Sequence, residues 1–297
     1  MPDLHILIIT HTHERIARTI MGLGAQTLEP RSITVACDSD DARVYSEVQR
    51  VSSEIGIPVT LVLRKRGEHS CRSQNRNNAV RALIEKGVDK DDRLLFFDGD
   101  CIPCPDACAV HMDALCTHSI SLGWAIRLSA FQTESVSDEI IHSGQIGGLL
   151  DEDQKRAADR AHFQSQKRIM LKRFGFTKPH KPGILSGNFG VRLSSFLAVN
   201  GFDESFTGWG MEDDDLGRRL YMSGAKPKSV MNRAIVYHQD HPTESPSKWK
   251  ESPNAARLDK KTGVRCALGI DCPATQHPPV IHKLEPSYPK VQLDGIV

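Results

Sequence analysis

A chain of 297 residues, 39% of them hydrophobic, can bury a sizeable core as one large α/β domain or two small ones. Its formal net charge of +1 excludes a global field that demands a nucleic acid or a membrane as partner, so any basic surface is local. The eight cysteines are irregularly spaced and the N-terminus, Met1-Pro2-Asp3-Leu4-His5-Ile6, has no basic n-region. No window approaches the ~18 apolar residues of a membrane span. Reduced thiols, no signal peptide and a cytoplasmic location are expected.

His5 to Ile9 form an apolar run of strand length, and Ile16, Ile20 and Leu23 give Arg15 to Leu23 helical spacing. A second strand, Ile33 to Cys37, ends in Asp38-Ser39-Asp40-Asp41. Ala42 to Ile55 is predicted as a helix with Val44, Val48, Val51 and Ile55 on one face. Val59 to Leu63 is the third strand and Arg72 to Glu85 the third helix. Arg93-Leu94-Leu95-Phe96-Phe97 is then a strand buried on both faces that runs into Asp98-Gly99-Asp100. This alternation is the pattern of a parallel nucleotide-binding sheet. Ligands of such sheets gather beyond the carboxyl ends of the strands, so Asp98 and Asp100 stand where a ligand would sit. Two carboxylates this close share a dry site only with a cation, since each raises the other's pKa. Oxygen ligands suit Mg²⁺ or Mn²⁺, which bring phosphate oxygens with them. The alternative is a surface Asp-Gly turn. Neither Gly-x-Gly-x-x-Gly nor a Walker-type Gly-Lys-Ser/Thr is present to hold phosphates in another way.

Ile8-Ile9-Thr10, Asp38, Arg76-Asn77 and Asp98-Gly99-Asp100-Cys101-Ile102-Pro103, in that order and spacing, resemble a glycosyltransferase of family 2 with the GT-A fold. The resemblance implies an α/β nucleotide-diphospho-sugar transferase fold, a central mostly parallel sheet flanked by helices. It places Thr10 and Asp38 at the nucleoside, Arg76 near the uracil or diphosphate, Asp98 near the ribose and Asp100 on the metal. The acidic residue after the second strand departs from the usual Asp-Asp-Gly-Ser, which leaves Asp38, Asp40 and Asp41 open as the one that faces the base.

Cys101, Cys104, Cys108, His111 and Cys116 invite a zinc reading, but their spacing fits no single ligand template. Pro105 to Leu115 are expected as a helix opened by proline, and Ile120 to Leu128 as one strand. From Asp151 to Lys181 basic residues outweigh acidic ones, with Ala157, Ala161, Phe163, Ile169, Met170 and Leu171 between them. A basic, partly amphipathic helix is predicted, either a solvated face or a flap that meets an anionic acceptor such as an acidic glycan or a modified DNA base.

Leu185 to Arg192 are expected as a glycine-punctuated strand and Ser194 to Val199 as a short helix. Then comes Asn200-Gly201-Phe202-Asp203-Glu204-Ser205-Phe206-Thr207-Gly208-Trp209-Gly210-Met211-Glu212-Asp213-Asp214-Asp215-Leu216. Acidic residues suit the first turn of a helix, which accounts for part of the run. Glycines on both sides of Trp209 free the backbone to present one aromatic ring beside carboxylates, an arrangement that suits a sugar face. The block resembles the Gly-Trp-Gly-x-Glu-Asp-x-Asp segment of inverting galactosyltransferase-like enzymes. That resemblance implies Asp213 as the general base, with Glu212 beside it, and Trp209, Gly210 and Asn188 on the sugar side. An acceptor hydroxyl attacking an anomeric carbon must lose a proton to such a carboxylate.

A last strand, Val230 to Tyr237, delivers His238 and His241. Two histidines at a strand end suit a metal, a surface-loop pair being the alternative. The resemblance implies that His241, with His238 second, completes the metal shell of Asp100, and imidazole among oxygens tilts the ion toward Mn²⁺ over Mg²⁺. Residues 243–297 are proline-rich without periodicity, a tail that wraps the domain or is partly disordered, in which Cys266, Cys272, His277 and His282 could form a metal knuckle.

The expected organisation is therefore a GT-A-like domain over 1–242, with a nucleotide-sugar half (1–117), an acceptor half (118–242) carrying a basic helical insertion (151–182), and a C-terminal extension (243–297). The expected function is metal-dependent, inverting transfer from a UDP-sugar to a hydroxyl. The rivals are a nucleotidyltransferase, a non-catalytic sugar-binding relative and a nucleic-acid-binding protein built on the basic helix.

Overall fold

The computed structural model describes residues 2–39, 41–65, 70–208, 210–242, 253–258, 263–274 and 279–285. Four strands, β1 (Leu4–Thr10), β2 (Ser32–Cys37), β3 (Val59–Leu63) and β4 (Arg93–Asp98), alternate with α1 (Ile16–Gly24), α2 (Ala42–Ile55) and α3 (Arg72–Ile84). They lie parallel in the order β3-β2-β1-β4, with Ile9 of β1 beside Ala36 of β2 on one flank and Asp98 of β4 on the other. Every second residue faces the same side of a strand. Ile6, Ile8, Val35 and Phe97 therefore pack against α1 and α2, while Leu7, Ala36 and Phe96 pack against Ala79, Val80 and Leu83 of α3. Leu94 to Phe97 are each at most 1% exposed, and burying a side chain of that size contributes about 1.5–3 kcal/mol. The caps match the sequence: Asp41 accepts from the backbone of Arg43 to open α2, and Gly56 closes it in the left-handed region at φ 68°.

After β4 the chain makes β5 (Cys101–Pro103), α4 (Ala107–Thr117), β6 (Ile120–Leu122) and β7 (Trp124–Arg127). The single strand expected over 120–128 is thus two, in different sheets. The break falls at Gly123, where a Cβ would lie 2.5 Å from the Asn188 side chain. Only glycine admits that approach, so the chain crosses there. Two short helices, α5 (Ala130–Ser135) and α6 (Asp138–His142), and a 3₁₀ turn (Gln145–Leu149) lead to α7 (Glu152–Arg173). This last is the basic helix, opened by a reciprocal Asp151–Gln154 capping box and ending on Lys172 and Arg173.

β8 (Asn188–Arg192), α8 (Leu193–Ala198), α9 (Glu212–Met222), β9 (Pro227–Ser229) and β10 (Ile235–His238) follow. β10 is shorter than the expected 230–237 strand, because Val230 to Ala234 turn back on themselves through the Arg233 and Ala234 amides bonding to the Val230 carbonyl. α10 (Pro253–Leu258) and β11 (Val280–Leu284) complete the described elements. The main sheet runs β11-β3-β2-β1-β4-β8-β6-β9, with β8 antiparallel to β4 and β11 antiparallel to β3; a second sheet runs β5-β10-β7. Described residues beyond 242 pack on the rest of the fold. β11 covers the β3 edge, and the Ile270 amide donates to the Asn200 carbonyl at 3.0 Å. No helix among the described residues is long and apolar enough to cross a membrane.

Candidate active site

The site lies where β4 ends. The Gly99 amide donates to the Ile9 carbonyl at 2.7 Å, and a Cβ on Gly99 would meet Thr10 Cβ at 2.8 Å. Glycine between the two aspartates therefore lets the chain turn hard against β1, so that Asp98 and Asp100 diverge. β5, directly after the turn, pairs antiparallel with β10 and sets Cys101 opposite His238. That register brings together residues far apart in sequence: His241 Nε2, 141 residues on, lies 2.9 Å from Asp100 Oδ2, and His238 Nε2 lies 3.7 Å from the same oxygen. The two imidazoles stack with centroids 5.1 Å apart. Among the described residues, Asp100, His238 and His241 are the one group of three or more such side chains with ligand atoms within 4.8 Å of one another. His241 Nδ1 is 3.0 Å from the Pro242 carbonyl. Both ring nitrogens face acceptors, so without an ion Nε2 carries a proton toward Asp100. Loss of that proton on metal binding would free the Nε2 lone pair for the ion while Nδ1 stays on the carbonyl. Burial alone would raise the Asp100 pKa, but the His241 contact and the facing His238 outweigh it and hold the carboxyl well below its usual range. One carboxylate and two imidazoles are a donor set that fits Mn²⁺.

Asp38 follows β2, 4% exposed; it pairs with Arg64 and accepts from the Cys71 amide at 3.0 Å. Thr10 caps its own turn, donating to the Thr12 carbonyl at 2.7 Å. Arg76, only 2% exposed on α3, joins the two halves of the site. Its Nη2 donates to Asp98 Oδ1 at 3.0 Å and to Ser186 Oγ at 2.6 Å, and its Nη1 lies 3.5 Å from Glu212 Oε1. The guanidinium also sits 5.2 Å from the centre of the Phe202 ring, a cation–π contact that lowers the cost of its burial. Ser186 in turn donates to Asp213 Oδ2 from its amide at 3.1 Å and its hydroxyl at 2.9 Å. Asp213 Oδ1 is buried with no hydrogen-bond partner. Burial first, and the Glu212 charge second, push the Asp213 pKa up to about 7, against the pull of Arg76 and Ser186.

The loop before α9 is held in unusual backbone. Gly208, Gly210 and Met211 have φ of 76°, 95° and 75°. For Met211, which carries a Cβ, the left-handed region costs about 1–2 kcal/mol. The Gly208 amide donates to the Ser70 carbonyl at 2.7 Å, and Asn254 of α10 donates to the Thr207 and Gly210 carbonyls at 2.9 and 3.1 Å. The loop is thereby pinned next to α3, and the first turn of α9 carries Glu212 and Asp213 toward Arg76.

Residues 168–242 match a family model described as the N-terminal domain of galactosyltransferase. The chain is 30% identical over 145 residues to human beta-1,4-galactosyltransferase 2, a match that covers 46% of this chain and 38% of that protein. Among solved structures it is similar to GalNAc-T7, determined with UDP, GalNAc and Mn²⁺, at a TM-score of 0.51 and 14% identity over 80% of this chain and 44% of that one. It is likewise similar to residues 1–349 of S. aureus TarS with UDP, at 0.51 and 13% over 86% and 64%. The chain has the GT-A glycosyltransferase fold. The galactosyltransferase-like segment, residues 168–242, bears Asp213, His238 and His241.

Within this GT-A domain several expected residues have other work. Asn188, assigned to the sugar, is 1% exposed. Its amide donates to the Trp124 and Ala234 carbonyls at 2.9 and 3.0 Å, and its oxygen lies 2.9 Å from His111 Nε2. No polar atom of that side chain is left for a ligand, so Asn188 leaves the candidate set. Trp209, with Asp40 and His277, lies outside the described residues. All eight cysteines are free thiols, and neither zinc grouping assembles among the described residues. Cys101 donates to Asp100 Oδ1 at 3.3 Å, Cys104 donates to the Arg233 carbonyl at 3.3 Å, and Cys116 is exposed. His282 packs edge-on to Tyr45. Of the acidic run, Asp215 is a structural partner of Arg219 at 2.7 Å, and Asp214 faces Lys181 at 3.6 Å. Through Lys181, and through Lys172 over the Tyr221 ring at 4.3 Å, α7 and the loop after it rest on α9. The relatives give no support to DNA as an acceptor. Sequence reasoning missed Ser186. It stands in a run read as strand, and its partners are 110 and 27 residues away, a separation no local pattern reports.

Proposed function

We propose that this chain is a metal-dependent, inverting glycosyltransferase that moves a sugar from a UDP-sugar to a hydroxyl of a glycan acceptor. The observation that carries the reading is the meeting of Asp100 with His238 and His241 at the end of β4, in a fold whose neighbours were solved with UDP and with Mn²⁺. Asp100, His241 and His238 would hold the ion, which when bound neutralises charge on the departing nucleotide. Asp38 and Thr10 stand at the strand ends where the nucleoside belongs, and Asp98 on the ribose side.

Asp213 supplies the other half of the reaction. The acceptor oxygen forms its bond to the anomeric carbon while the bond from that carbon to the UDP phosphate oxygen breaks, and UDP leaves with the electron pair. The hydroxyl proton passes to Asp213, whose unpartnered Oδ1 is the free site for it. A base on the side opposite the leaving group inverts the anomeric centre. The raised pKa of Asp213 supports the role, since a base near neutrality combines availability with proton affinity. Trp209 and Gly210 belong to the sugar side of this reading.

A panel of UDP-sugars scored for Mn²⁺-dependent turnover tests it. Asp100→Ala and His241→Ala are expected to lose the metal dependence. Asp213→Asn is expected to bind UDP normally and lose turnover by ~10²–10⁴-fold. Normal turnover by Asp213→Asn overturns the base assignment.

A further inference from the structure

We propose that Ser186 is the positioning residue of Asp213, its hydroxyl held by Arg76 so that it fixes one carboxylate oxygen and leaves the other for the acceptor proton. The inference rests on the reading of Asp213 as the base.

The direction of the hydrogen bonds follows from donor inventory. A guanidinium has donors and no acceptor, so at 2.6 Å the Arg76 Nη2 must donate to Ser186 Oγ. The single hydroxyl hydrogen of Ser186 is then free only for Asp213 Oδ2, at 2.9 Å. The serine amide donates to that oxygen as well, at 3.1 Å. Oδ2 is therefore doubly occupied while Oδ1 has no partner, and the two oxygens of one carboxylate acquire different tasks. Ser186 is 5% exposed, so water does not compete for the hydroxyl. The charged groups around this point are Arg76 on α3, Glu212 on α9 and Asp98 at the end of β4. Arg76 contacts Asp98 at 3.0 Å with the same nitrogen that holds Ser186. The orientation of the base is thus tied to the carboxylate on the donor side.

A hydrogen bond to the ionised carboxylate lowers its pKa, so removing the hydroxyl has a readout that a merely structural serine would not move. The experiment is a carboxyl carbon-13 NMR titration of the full chain labelled at aspartate, with Asp213→Asn assigning the resonance. Ser186→Ala is expected to raise the Asp213 midpoint by about one unit, and Ser186→Thr, which keeps the hydroxyl, to restore it. Ser186→Cys, close to serine in volume and a weak donor, is expected to follow alanine and serves if Ser186→Ala does not fold. UDP with Mn²⁺ is expected to bind all variants with unchanged affinity by calorimetry. Mn²⁺-dependent hydrolysis of UDP-galactose as probe is expected to fall ~10- to 100-fold in Ser186→Ala. An unmoved midpoint in both Ser186→Ala and Ser186→Cys overturns the proposal. So does a loss of UDP affinity of about tenfold or more, which makes the hydroxyl a donor contact. Full hydrolysis by Asp213→Asn is a different failure, since it removes the base on which the proposal stands.

Discussion

Two polar side chains of similar type, Asn188 and Asp213, show how burial divides structural from chemical work. Asn188 satisfies every polar atom it has, to His111 and to the Trp124 and Ala234 carbonyls. Asn188→Ala leaves those groups buried and unpaired, and is expected to cost about 2–4 kcal/mol, read as a lower urea midpoint with an unchanged slope. Asp213 leaves Oδ1 unpaired, and its pKa is raised from 3.8 to about 7. The folded chain therefore binds more protons than the unfolded chain between those values. The stability that protonated Asp213 lends is present at the acid end and is lost as pH rises toward 7. With Asp213 as the proposed base, turnover needs the carboxylate, so kcat/KM is expected to climb through about pH 7, tenfold per unit on its acid limb. Stability and activity then move in opposite directions over one window. A pH–rate profile with its acid limb at an ordinary carboxylate value would contradict this.

The strand–helix alternation over the first hundred residues was legible because period and burial coincide there. Val44, Val48, Val51 and Ile55 sit on one face of α2 and are all buried, and Arg93 to Phe97 of β4 are buried throughout. The Ile120–Leu128 run gave no warning of its split, since an apolar sequence reads the same whether it stays in one sheet or crosses to another at Gly123. The acidic run before Leu216 reads as a helix start and is one. Which of its carboxylates face the site depends on cations elsewhere in α9 and in the loop after α7. Asp215 is taken by Arg219, itself 0% exposed, whose Nη1 also donates to the Val199 and Gly201 carbonyls at 2.7 Å each. This arginine moors α9 to the turn that carries Phe202. Arg219→Met keeps the bulk and removes the mooring, and is expected to destabilise by about 3–5 kcal/mol in chemical denaturation. With Arg219→Met, Glu212 and Asp213 also lose their fixed relation to Arg76, so turnover is expected to fall even where the variant is folded.

At the scale of the molecule, the main sheet and the small second sheet come together at Asp100, His238 and His241. Asp100 leaves the parallel sheet, and His238 and His241 leave the small second sheet. An ion bound between them would exist only in the folded chain, because nothing in an unfolded chain keeps residues 141 apart at 2.9 Å. Binding to the folded state alone raises stability by RT ln(1 + [L]/Kd), about 2.7 kcal/mol at a concentration 100-fold above Kd. In a chain of 297 residues that corresponds to a rise in Tm of several degrees, at about 2–4 °C per kcal/mol in domains somewhat smaller than this. Mn²⁺ is expected to give that rise and a chelator to reverse it, with Mg²⁺ weaker because imidazole is a poorer partner for it. His241 is half-buried and three residues beyond β10, so His241→Ala is expected to leave a folded chain whose Tm no longer rises with Mn²⁺. A full Mn²⁺ increment in both His241→Ala and Asp100→Ala would place the ion elsewhere. Loss of the increment in both, with the fold intact, ties metal binding to the crossing point of the two sheets.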